Sequence, residues 1–191
     1  MPPETLLLIN KILLWNGLFW LALYAYYVFV HKGVPNIQTS AEARKVIADL
    51  FRADMLARNL PNYTIVDVGS GNGDLTRVIA AAIPEARVIG IEISWPSVLW
   101  SNWMKRRVGL ANLEYRRMDF FDYDFSVANG VMLYLLPVAL KGLDDKLQQE
   151  TQAGTYIICN RFAMRGGWVP METIALPGTR LLEREIYLYR K

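Results

Sequence analysis

The chain reads as an α/β fold: one mostly parallel sheet with helices between its strands, preceded by a single apolar helix. Three observations predict it. Thr64 to Asp74 passes from an apolar, β-branched run, Ile65-Val66-Asp67-Val68, into a turn with Gly69, Gly71 and Gly73. Such a run suits a buried parallel strand. Behind the turn, Leu75, Val78, Ile79, Ala82 and Ile83 recur at i, i+3, i+4, i+7 and i+8, the stripe of a helix laid against a sheet. Further apolar runs alternate with helical patterns downstream, and Ile12 to Val30 carries no charge over nineteen residues.

Length and composition set the frame. With 191 residues, 53% of them apolar, the chain suffices for one domain with a real core and an appendage. A formal charge of +3 exerts little pull on nucleic acid, and no such partner is expected. The single cysteine, Cys159, excludes an internal disulfide and fits a reducing compartment. It lies in Tyr156-Ile-Ile-Cys159, where a buried strand residue is a simpler reading than a nucleophile. One histidine, His31, and one cysteine cannot build a zinc site, so no metal is expected.

In chain order, residues 1–32 read as a membrane anchor spanning about 12–30, and 33–191 as the domain. Nineteen helical residues reach roughly 28 Å, about one hydrocarbon core. Trp15 and Trp20 lie towards one end and Tyr24, Tyr26 and Tyr27 towards the other, as interfacial belts do. A cleaved signal peptide competes, but Met1-Pro-Pro-Glu-Thr5 has no basic lead-in and the run is long for that purpose. A buried soluble helix competes too, against apolar residues on every side. His31, Lys32, Arg44 and Lys45 follow the span, which predicts a single-pass membrane protein with its domain on the cytoplasmic side.

Gly33-Val-Pro-Asn36 is a linker, and Thr39-Ser-Ala-Glu42 has the spacing of a capping box. Val46, Ile47, Leu50, Phe51 and Leu56 then make an amphipathic helix ending near Asn59-Leu-Pro61. After the glycine turn and its helix, Arg87 to Ile93 is the second strand, and Ser94 to Arg107 a helix closing in Lys105-Arg-Arg107. That basic run either caps the helix C-terminus or faces anionic headgroups. Leu113 to Met118 is a third strand, with too few residues behind it for a full helix. Phe125 to Leu133 is the fourth. Pro137 opens a helix that continues through Leu140, Leu143 and Leu147 to Glu150. Gly154 to Asn160 is the fifth strand, and Glu172–Leu176 with Leu182–Tyr189 form an antiparallel hairpin around Pro177-Gly178.

A strand, glycine turn and helix make a nucleotide-type cofactor site, because glycines admit a ligand to the backbone and the helix start offers free N–H groups. The dinucleotide fingerprint needs G-x-G-x-x-G. Here Gly69, Gly71 and Gly73 give G-x-G-x-G, with Asp74 next and Asp67 two places ahead. Glu92 lies nineteen residues after Gly73, near a strand end, where a carboxylate takes ribose hydroxyls.

Asp67 with Gly69-Ser70-Gly71-Asn72-Gly73 resembles the first motif of class I S-adenosylmethionine (SAM) methyltransferases. The resemblance implies SAM as cofactor and a Rossmann-like seven-strand sheet. It also implies Ile93 against the adenine, Asp119 accepting from the adenine amino group, and Phe120 on the ring. Glu92-Ile-Ser-Trp-Pro-Ser-Val-Leu-Trp100, Leu143-Asp-Asp-Lys-Leu147 and Asn160-Arg-Phe162 with Trp168-Val-Pro170 further resemble a family of membrane-anchored protein-lysine methyltransferases. Its mitochondrial members modify the c subunit of ATP synthase and the adenine nucleotide translocase. That resemblance implies a protein substrate with an accessible lysine, at a membrane.

Asn72 stands where the family usually has Asp, and Trp95-Pro96 where it has Pro-Trp. Val131-Met-Leu-Tyr134 replaces its Gly- and Gln-containing segment, where the acceptor would bind. Phe162, Trp168 and Tyr134 are candidate walls for a lysine stem. Tyr134 is the one candidate for a polar contact to the amine, and Arg161 for positioning the acceptor chain. Ordinary packing accounts for each equally well. A lipid amine as acceptor, and a non-catalytic SAM-fold assembly module, are the competing functions.

Overall fold

The computed structural model describes residues 3–31, 38–176 and 185–191, with 27–31 as backbone alone. The linker, the hairpin turn and the side chains of Tyr27, His31 and Lys32 lie outside the described residues. The chain divides into two compact units, Met1–Ile37 and Gln38–Lys191. The first holds one helix, α1 (Pro3–His31). Its stretch Pro3–Tyr26, of mean hydropathy 1.7, is long and apolar enough to cross a membrane, and none of it is buried.

The second unit contains α2 (Ala41–Arg58), β1 (Thr64–Val68), α3 (Asp74–Ala82), β2 (Arg87–Glu92), α4 (Trp95–Val108) and β3 (Leu113–Arg117). Two short 3-10 turns follow, then β4 (Gly130–Leu133), α5 (Pro137–Leu140), α6 (Leu143–Glu150), β5 (Tyr156–Asn160), β6 (Glu172–Ala175) and β7 (Glu185–Arg190). Among the described residues seven strands form one sheet in the order β3-β2-β1-β4-β5-β7-β6. β1 to β5 are parallel, and β7 runs antiparallel to both β5 and β6. The Rossmann-like expectation holds.

Three local expectations change. The α2 cap is Ser40, whose Oγ accepts from the Ala43 amide at 3.2 Å, not Thr39. The fourth strand begins at Gly130 instead of Phe125, because Asp124 Oδ1 accepts from the Ser126 amide and closes a 3-10 turn there. Phe125 is apolar because it fills the core from that turn. The helix behind Pro137 breaks in two at Gly142, whose φ of 83° ends helical geometry.

Alternate strand residues enter two core clusters, one on each sheet face, as the period of two requires. Ile65, Met132 and Ile158 pack with α2 and α3 through Phe51 and Ile79. Val66, Leu133 and Cys159 pack with α6 and the 3-10 turns through Leu147 and Phe125. Buried Asp54 pins α2 to the sheet: it accepts from the Tyr63 hydroxyl at 2.5 Å and pairs with Arg190 at 2.6 Å.

Candidate active site

In an open parallel sheet, ligands lie beyond the carboxyl ends of the strands where the strand order reverses. Here that point is β1, flanked by β2 and β4. The turn behind β1 carries Gly69, Gly71 and Gly73 at φ 72°, 54° and 73°. A Cβ on Gly73 would stand 2.2 Å from the Tyr115 hydroxyl oxygen, so sterics as well as φ demand glycine. That hydroxyl donates to the Gly73 carbonyl at 3.0 Å.

The turn folds back on β2. The Gly69 and Ser70 amides both donate to the Ile91 carbonyl, at 2.8 and 2.9 Å. The Gly71 amide donates to Glu92 Oε2 at 3.0 Å, and the Ser94 amide to Glu92 Oε1 at 2.8 Å. Each Glu92 oxygen thus holds one backbone N–H and keeps a lone pair for a further donor. The Ser70 hydroxyl is buried in the same turn with no hydrogen-bond partner among the described residues.

Asp67 is 4% exposed and accepts from the Thr76 hydroxyl at 2.6 Å. Burial pushes its carboxyl up to about 6; the Thr76 hydrogen bond pulls it back, and the Glu92 charge adds to the rise. Strand register puts Gly90 opposite Asp67, so Glu92, two residues on, shares its face. Among the described residues no lysine or arginine forms a salt bridge with either carboxylate. Two acids without a basic partner, at adjacent strand ends, suit a ligand with positive charge and adjacent hydroxyls. SAM, with its sulfonium, ammonium and ribose, fits that donor set.

The remaining residues divide. Ile93 is half-buried beside Glu92. The Met118 amide donates to the Glu92 carbonyl at 3.1 Å, which brings Asp119 and Phe120 up to the end of β2. Asp119 Oδ1 accepts from the Phe121 amide at 3.1 Å, and Phe120 packs on the α6 face. On the far side, Phe162 and Trp168 pack against the α6-face cluster, whereas Tyr134 packs against the α2–α3 cluster. They do not form one aromatic wall. The Trp168 indole N–H donates to the Asp144 carbonyl at 3.2 Å, and its ring meets Tyr189 edge-on at 6.1 Å. Arg161 has φ 75°, rare outside glycine, and its guanidinium lies 4.6 Å over the Phe162 ring.

Sequence reasoning missed Asn160 as a site residue. It ends β5, is 1% exposed, and both its side-chain amide atoms lack a hydrogen-bond partner among the described residues. Register pairs Asp67 with Met132 and Met132 with Ile158. Asn160, two residues past Ile158, therefore shares the face of Asp67 and Glu92. Its place at the head of Asn160-Arg-Phe162 was the signal, but the reading stopped at Arg161 and Phe162.

Comparison with known proteins agrees with this geometry. The family profile described as ANTKMT methyltransferase domain matches residues 67–172, over half of the chain. A protein-lysine N-methyltransferase of Saccharolobus islandicus (strain REY15A) is 26% identical over 165 residues, 82% of this chain and 94% of that protein. A lysine N-methyltransferase of the ATP synthase c subunit, from Xenopus laevis, is 32% identical over 107 residues. That match takes in 56% of this chain and 46% of the relative, so this chain spans about half of that protein's length. Among solved structures, an RNA methyltransferase from Salinibacter ruber in complex with S-adenosyl-L-homocysteine is 27% identical with a TM-score of 0.62. The match covers 81% of this chain and 93% of that one. The turn, the paired carboxylates and these matches agree: the chain belongs to the ANTKMT methyltransferase domain family and is a class I SAM-dependent methyltransferase.

Proposed function

We propose that the chain methylates a lysine amine on a membrane-associated protein. The observation that carries this reading is its similarity, over 94% of that protein's length, to a protein-lysine N-methyltransferase. The apolar stretch Pro3–Tyr26 supports the membrane part. In this reading α1 crosses once, with the catalytic unit on the cytoplasmic side, and raises the effective concentration of a membrane-borne acceptor.

SAM supplies an electrophilic methyl group on sulfur. Asp67 and Glu92 hold its cationic and ribose parts, with Gly69, Ser70, Gly71 and Gly73 lining the turn, and Ile93, Asp119 and Phe120 at the adenine. The acceptor nitrogen needs a free lone pair and alignment more than a strong base. Desolvation favours the neutral amine, and alignment supplies much of the rate. Asn160 offers that amine a buried amide, Tyr134 a phenol, and Phe162, Trp168 and Arg161 the approach for its chain.

A second reading, RNA as acceptor, rests on the similarity to the RNA methyltransferase of Salinibacter ruber. One experiment separates them. Membranes and total RNA from cells with and without the gene are incubated with the protein and methyl-labelled SAM, and proteins are digested for mass spectrometry. A methyl-lysine that depends on the gene supports the proposal. Label in the RNA or in the lipid extract, with none on lysine, refutes it.

A further inference from the structure

We infer that the outer face of α4 docks on a lipid surface bearing anionic headgroups, seating the rim of the active site in the headgroup layer. This goes beyond the role of α1 and holds whether or not α1 crosses the membrane. At about 100° per residue, Trp95, Leu99, Trp103 and Trp100 fall within one sector of about 140°, with Arg106 and Arg107 inside it. Those four apolar residues are 45%, 59%, 45% and 49% exposed, while the opposite face buries Ser97 and Ser101. A soluble surface seldom gathers large apolar side chains in this way without a partner.

The chemistry of the face selects the partner. Its apolar members are mostly tryptophans, which favour the membrane–water interface, where an amphipathic ring meets both phases. Its last turn holds Lys105, Arg106 and Arg107, and α4 contains no acidic residue. The Arg107 guanidinium lies 4.9 Å over the Trp103 ring, which stands 5.0 Å from the Trp100 ring, so charge and aromatic surface form one patch. Basic residues beside interfacial aromatics match anionic lipid.

The placement links docking to catalysis. Trp95 follows Ser94, whose amide donates to the Glu92 carboxylate at 2.8 Å. Lipid contact along α4 therefore begins one residue from a ligand of that carboxylate. An acceptor lysine presented at headgroup level is then within reach of the strand ends.

The test uses the full chain with a fluorophore sensitive to polarity at Leu99→Cys, and the same label at Gln148→Cys on α6 as an exposed control. Cys159 is buried and its thiol is pushed up by burial, so it stays unlabelled. Each protein is mixed with vesicles of phosphatidylcholine, with or without phosphatidylglycerol, carrying a nitroxide lipid. The expected result is a blue shift and quenching at position 99 and not at 148, stronger with phosphatidylglycerol. Arg106→Gln and Arg107→Gln each weaken that contact by roughly fivefold. Flotation with the vesicles while position 99 stays as wet as 148 overturns the inference and spares the α1 reading. Failure to float overturns both. Equal quenching in the two lipids removes the anionic preference and overturns the proposal as stated. A blue shift without vesicles that grows with protein concentration shows a second copy on the face and overturns it too.

Discussion

At the ends of β1 and β2 the two carboxylates are closed by hydrogen bonds, whereas at the end of β5 the Asn160 side chain, among the described residues, is not. Glu92 takes two backbone amides, Asp67 one hydroxyl, and the Gly73 carbonyl the Tyr115 hydroxyl. The Asn160 side chain has no hydrogen-bond partner among the described residues, and Arg161 next to it sits at a positive φ. Buried polar atoms without partners are costly, and such strain gathers at functional sites. The contrast fits the proposed function as a division of labour: a half shaped in advance for a constant cofactor, and an Asn160 amide that the proposed acceptor would complete.

The largest expected effect breaks the first half. Glu92→Ala removes the acceptor of the Gly71 and Ser94 amides and the proposed partner for the ribose, so SAM affinity by calorimetry should fall at least about a hundredfold, about 3 kcal/mol. The unit should remain folded by circular dichroism. Gly73→Ala should follow, with urea unfolding showing a loss of about 2–4 kcal/mol. Adding Tyr115→Phe should recover less than half of it, because a Cβ would still lie 2.9 Å from the Ser101 hydroxyl at a strained φ.

Asp67 sharpens the comparison through pH. Its folded value of about 6 lies above the ordinary 3.8, so the folded protein holds this proton more tightly than the unfolded chain does. Its contribution to stability is fully present below about pH 4 and is lost as pH rises through about 6, by about 3 kcal/mol. Asp67→Asn should therefore make the ligand-free protein more stable at pH 7 while weakening SAM binding. In the wild type, affinity should fall as pH drops from 7 to 5, since the neutral acid no longer favours a cationic ligand. Isothermal titrations at three pH values check this, and the variant should show a flat profile. Asn160→Leu probes the second half with the smallest effect on folding, a gain of about 1–2 kcal/mol in urea unfolding.

How much of this was legible in the sequence follows the same division. Gly69, Gly71, Gly73, Asp67 and Glu92 fall within 26 consecutive residues, and each is a residue type with a local reason to be there. The parallel sheet followed from the alternation of strand and helix patterns. The rest depended on tertiary context. Phe125 is apolar in a turn because it fills a core, which a strand pattern imitates. Gly142 was visible between Leu140 and Leu143, but the leucine periodicity ran through it. Tyr134 separates from Phe162 and Trp168 only in three dimensions, where they pack against different core clusters. Asn160 opens a stretch that carried the family resemblance, but its burial without a partner among the described residues is visible only in three dimensions.

The division of labour between the two halves is tested most directly by calorimetric titration of SAM into Glu92→Ala and Asn160→Leu side by side with the wild type. The account predicts no measurable binding to the first and affinity within about twofold of wild type for the second. Wild-type affinity in Glu92→Ala, or loss of SAM binding in a folded Asn160→Leu, would contradict it.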